Sequence, residues 1–251
     1  MNLPANLDDL EMSVRYDLHR MGADLGDSIE ITRAPSQLVV NAWGISPRRK
    51  EQLVAVLANK PGIQLEFQPP VTSGRNRQNP TTAVPSSVNR QQDSRLVDFF
   101  GGADAEGNYT RGVLHASTEM LAHLYALREL ALRWPPGQDS NLSSAAKTQL
   151  SAILRDHANG VQASFSELEP QINLLLKGFG YEPVAENPAA GNTDWQEASV
   201  SELDKARTTD RILRSLLTTS ETPMSVDDAL PKLKQSVQEL ASGVNQLRAV
   251  Q

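Results

Sequence analysis

The chain has 251 residues, no cysteine, and a formal net charge of −6 from 24 basic and 30 acidic side chains. Without cysteine there is no disulfide, thiolate zinc site, iron–sulfur cluster or cysteine nucleophile, and the acidic balance argues against the positive footprint of a general nucleic-acid binder. At 39% hydrophobic but only 5% aromatic, any core has to be aliphatic, which favours helical packing over an aromatic-rich β-sandwich.

The first element is a helix. Asn6 is a natural N-cap, Asp8, Asp9 and Glu11 meet the positive helix end, and Leu7, Leu10, Val14, Leu18 and Met21 fall on one stripe. Gly22 and Gly26 close it. Ile29 and Ile31 then alternate with Glu30 and Thr32 as a short strand. After Ala34-Pro35-Ser36, Leu38, Val40 and Ala42 share one face of a second strand, opposite Val39, Asn41 and Trp43. Ser46-Pro47 is a helix start, with Ser as cap and Pro where its missing N–H costs nothing. Leu53, Val56 and Leu57 are expected on the buried side of that helix. Arg48, Arg49 and Lys50 oppose its dipole, so packing has to carry it. Pro61-Gly62 turns the chain into Ile63, Leu65 and Phe67, a third strand.

Over residues 69–94 the composition changes to Pro, Ser, Thr, Asn, Gln and Arg without periodicity, which reads as a flexible linker. Beyond it, Leu96, Val97, Phe99 and Phe100 precede a long helix from about Tyr109 to Trp134, stopped by Pro135-Pro136-Gly137. The next helix begins near Ser140 or Asn141 and carries Leu142, Ala146, Leu150, Ile153, Val161, Phe165, Leu168, Ile172 and Leu175, with Pro170 as a candidate kink. A third carries Val200, Leu203, Leu213, Leu216 and Leu217. The last has alternating steps of four and three through Val226, Leu230, Leu233, Val237, Leu240, Val244 and Leu247, an a/d seam.

The expected fold is therefore α+β. A small α-β-β-α-β sandwich occupies 1–68, a linker 69–94, and an all-α region 95–251, which closes most simply as an antiparallel four-helix bundle. The last helix could instead pair between chains through Leu233 and Leu240, making a homo-oligomer. No window approaches the roughly 18 apolar residues of a membrane span, and the acidic N-terminus does not read as a signal peptide. The chain as given reads as soluble, whole or as the soluble piece of a membrane-anchored protein.

Chemistry is sparse. His115, Glu119 and His123 stand at i, i+4 and i+8 on one helix, a spacing that could hold a metal in a bundle enzyme. That face lies away from the apolar stripe, however, and reads better as a solvated one. His157 falls on the apolar seam between Ile153 and Val161, as a buried histidine or a pH-responsive one. His19 reads as a surface residue. No phosphate-binding glycine loop and no nucleophile elbow is present. The expectation is a protein without catalytic residues, cofactor or metal. Trp43, on the strand face opposite Val40 and near Arg48 and Arg49, is the candidate contact for a ligand or partner if it is exposed; the favoured alternative is a tryptophan covered by the neighbouring helix.

The strand Leu38–Trp43 ending in Gly44, the Ser46-Pro47 helix with Lys50, Leu53 and Leu57, and the Pro61-Gly62-Ile63 turn into a closing strand resemble the BON domain and related ring-building modules of envelope assemblies. The resemblance covers Leu7 to Phe67. The whole layout, such a module followed by a linker and a Leu-rich helical region, is similar to the extracytoplasmic part of membrane-bound anti-sigma-factor-like regulators. Together they imply a sensory or protein-interaction segment in the periplasm, facing a protein or envelope component. Neither resemblance brings a catalytic residue. The alternative is a cytoplasmic scaffold or assembly protein that self-associates through the Val226–Leu247 seam, on which Leu233 and Leu240 lie.

Overall fold

The local signals place most of the elements. A computed structural model describes residues 6–69, 94–184, 194–218 and 224–249. Among these residues the fold is mixed α+β, with seven α-helices and one three-stranded sheet. The chain divides into two compact units, Met1–Pro85 with Gly137–Ile153, and Ser86–Pro136 with Leu154–Gln251. The expected linker at 69–94 lies, except for its two end residues, outside the described residues.

In the first unit, α1 (Leu7–Arg20) starts at Asn6, whose side chain accepts from the Asp8 N–H at 2.9 Å. β1 (Ser28–Ala34) and β2 (Gln37–Trp43) form an antiparallel hairpin, and β3 (Ile63–Gln68) pairs with β2 in parallel. A parallel neighbour needs a crossover, supplied by α2 (Pro47–Leu57). Ser46 caps that helix by accepting the Arg49 N–H. Gly62 takes φ +81, a backbone that side-chain-bearing residues avoid, and its carbonyl accepts the Leu38 N–H at 2.8 Å. The turn and the register of β3 on β2 are thus fixed together.

Leu10, Val14, Leu18, Leu38, Val40, Ala42, Leu53 and Leu57 make one core, with Ile29, Ile31, Ile63, Leu65 and Phe67 packed against it. Both helices therefore cover the same face of the sheet. Val56, expected on the buried side of α2, is 39% exposed. Leu53 and Leu57 centre the buried face, and at 100° per residue Val54 and Val56 lie about 80° to either side. The unfavourable basic start of α2 is offset by partners: Arg49 bonds Asp27, and the Lys50 ammonium sits 4.7 Å from the Phe67 ring centroid.

Residues 137–153 belong to this unit as well. Gly137 is followed by a 3₁₀ turn (Gln138–Asn141), where the sequence suggested a helix start, and α5 (Ser144–Gly178) begins beyond it. Asp9 accepts the Ser143 N–H at 2.9 Å, and Asn6 donates to the Asn141 carbonyl at 3.1 Å. Asn6 and Asp9, at the start of α1, thus serve this loop as well as their own helix.

In the second unit, α3 (Ser94–Phe100) precedes α4 (Ala103–Arg133), which starts about two turns earlier than its apolar stripe suggested. The latter part of α5 joins α6 (Trp195–Leu217) and α7 (Val226–Ala249). All four long helices contribute to one core that includes Met120, Leu124, Leu168, Ile172, Leu213, Leu233 and Leu240, and α6 packs against both α4 and α7. α5 runs through Pro170 without ending. A proline inside a helix costs about 3 kcal/mol, and the full burial of Leu168 and Ile172 on either side offsets it. The buried face of α6 centres on Ser199, Glu202, Ala206 and Thr209, which leaves the expected core residue Val200 37% exposed.

Candidate functional site

Because α1 and α2 cover one face of the sheet, the other face is the unit's reachable surface. It carries Glu30, Thr32, Val39, Asn41, Trp43, Gln64, Glu66 and Gln68 by strand alternation. Trp43 is half-buried there, opposite Gln68 in the β2–β3 register, and its indole N–H donates to Gln68 Oε1 at 2.8 Å. The bond fixes the ring at the end of the central strand. Gln37 donates to Gln64 at 2.7 Å, and Gln64 to Glu66 at 2.8 Å, continuing a line of polar groups across the face.

The two arginines read beside Trp43 separate in role. Arg48 is exposed. Arg49 is internal bracing: it pairs with Asp27 at 2.6 Å and donates to the Met21 carbonyl at 2.7 Å and to Gln52 at 3.0 Å. It ties α2 to the loop between α1 and β1. A comparable hub that the sequence did not suggest is Glu11, buried on α1, which accepts from Arg15 at 3.0 Å and from Arg33 of β1 at 2.8 Å. Its only sequence signal was an acid in a first turn, which capping already explained.

Leu233 and Leu240 are fully buried within the chain's own core, as are the other seam positions from Val226 to Val237. The a/d repeat of α7 is used against α6. His19 is half-buried and lies 2.7 Å from Asp24.

The histidine face of α4 also divides. His115 and Glu119 are exposed, whereas His123, one turn further on, turns toward α5. Its Nδ1 lies 3.1 Å from Nδ1 of His157, one donating and the other accepting, with ring centroids 5.4 Å apart. His157 is buried, as its place on the seam suggested. Gly160, one turn beyond it, faces the His123 ring so closely that a Cβ there would overlap the imidazole. Nothing in local periodicity could pair positions 34 residues apart.

Tyr109, partly buried, and Glu202, fully buried, are ionisable groups perturbed by their surroundings. The Tyr109 hydroxyl donates to the Gln171 carbonyl at 3.0 Å, and burial pushes its pKa above the usual tyrosine range. Glu202 on α6 is buried against α7. Burial raises its carboxyl pKa, and Lys205, 2.6 Å away, pulls it down less strongly.

No protein-family profile matches this chain, and comparison with curated proteins and with solved structures finds no significant match. Among the described residues, no helix is long and apolar enough to cross a membrane.

Proposed function

We propose that this chain is a non-enzymatic sensory or protein-interaction segment of a bacterial envelope signalling protein, in which a BON-like α+β module carries the contact surface. The observation behind this reading is the one-sided cover of the sheet. Both helices pack on the Leu38–Val40–Ala42 face, and the opposite face keeps Trp43 held in place by Gln68. An oriented, half-buried indole beside polar side chains is a common form of contact residue, since it offers a large apolar area at low entropic cost. The order α1-β1-β2-α2-β3 supports the likeness to the BON domain.

In the same reading, α4 to α7 form a four-helix bundle joined to the module through the Pro- and Ser-rich stretch at 69–94. Their shared core supports it. The scaffold alternative, self-assembly through α7, loses support because Leu233 and Leu240 already fill the chain's own interior.

Site-specific photocrosslinking in the source cell tests the proposal. A crosslinker at Gln68 should capture a discrete envelope component, and one at Val56, exposed on α2, should not. Equal capture at the two positions, or confinement of the native full-length protein to the cytosolic fraction, would overturn it.

A further inference from the structure

We propose that His123 and His157 form a binding site for a divalent transition-metal ion between α4 and α5. The site stands on three features of the second unit. The two Nδ1 atoms converge to 3.1 Å from separate helices. With metal–nitrogen bonds of about 2.0–2.1 Å, nitrogens at that separation subtend an angle of roughly 100° at a shared ion, between octahedral and tetrahedral values. Imidazole is a ligand suited to Zn²⁺, Cu²⁺ and Ni²⁺.

The second feature is Gly160. A glycine inside a helix costs about 1 kcal/mol relative to alanine, and here the space without a Cβ is filled by the His123 ring. The imidazole is seated against the α5 backbone, so the ligand is oriented before any ion arrives and little side-chain entropy remains to be lost. The third is the difference in cover. His157 is 1% exposed and His123 half-buried, so one ligand is anchored in the interior while the other borders solvent. Water from that side can complete the coordination shell and spare the ion full desolvation.

This assignment is distinct from a site on one helix face. The i, i+4, i+8 set on α4 would use His115 and Glu119, both exposed and both one or two turns away. In the interhelical site His115 takes no part. Both rings bind an ion as neutral imidazoles.

The test uses the untagged full-length chain. Calorimetric titration with Zn²⁺ or Ni²⁺ should give one ion per chain with affinity in the micromolar range, and Cu²⁺ bound to the same protein should show two imidazole nitrogens by electron paramagnetic resonance. His123→Ala, at the half-buried position, should weaken binding by roughly tenfold or more, with circular dichroism confirming its helical content, and His115→Ala should bind as the wild type does. The copper spectrum is read on the unaltered protein and stays decisive if a variant fails to fold. Absence of binding at tens of micromolar metal, a copper signal without two nitrogens, unchanged affinity in His123→Ala, or a loss in His115→Ala matching that in His123→Ala would each overturn the assignment.

Discussion

Gly243 on α7 lies against the Glu202 carboxylate on α6 so closely that a Cβ at position 243 would overlap the carboxyl group. The two helices approach here through a missing side chain on one and a buried acid on the other. Gly243→Ala should therefore destabilise the second unit by about 1–3 kcal/mol through overpacking. Glu202→Ala should remove much of that penalty when the two are combined, because the colliding group is gone. Urea unfolding of the two single variants and the double variant, followed by circular dichroism, measures the coupling. Additive losses would show that the two positions do not share the space.

Glu202 also sets a pH dependence. Its folded-state pKa is raised by burial, with Lys205 opposing, so the native state favours the protonated carboxyl. A group raised in this way contributes its stability below the unfolded value, about 4.3 for glutamate, and loses it as pH rises through the folded value. Glu202→Gln keeps the shape without the charge. Its stability relative to wild type should rise between acid and mildly alkaline pH, as read from urea midpoints across that range. A difference that falls with pH would contradict the sign.

In the first unit, Arg49 and Arg48 are neighbours with unequal roles. Arg49→Ala removes the bonds to Asp27 and the Met21 carbonyl and should cost about 1–2 kcal/mol. The effect should appear as faster amide exchange over residues 21–27. Arg48→Ala, at an exposed position, should stay within about 0.5 kcal/mol of wild type. Equal effects would remove the distinction.

The seam of α7 yields a prediction about association. Leu233→Ala should cost about 2–5 kcal/mol, the range for emptying a fully buried leucine site, and this cost should not depend on protein concentration. Unfolding measured over a hundredfold dilution series checks this. A midpoint that shifts with concentration would instead place Leu233 between chains.

What the sequence determined by itself was local. Asn6, Ser46-Pro47 and Pro61-Gly62 mark element boundaries because a cap, a fixed φ or a left-handed turn demands those residue types. Strand alternation put Trp43 opposite Val40, and the four-three repeat from Val226 to Leu247 described the buried side of α7. Only the tertiary structure decided where that seam goes, that Arg49 turns inward to Asp27, and that the residues at 137–153 belong with α1 and the sheet. On α6, Leu203, Leu213, Leu216 and Leu217 are buried as their spacing suggested, whereas Ser199, Glu202 and Thr209 of the same face were hidden because periodicity counts only apolar residues. The same holds for His123 meeting His157, and for the glycines at 160 and 243, whose neighbours come from other helices. A period of 3.6 residues records which side of a helix is covered. It carries no record of which distant side chain does the covering, and that pairing settles when helices close on each other.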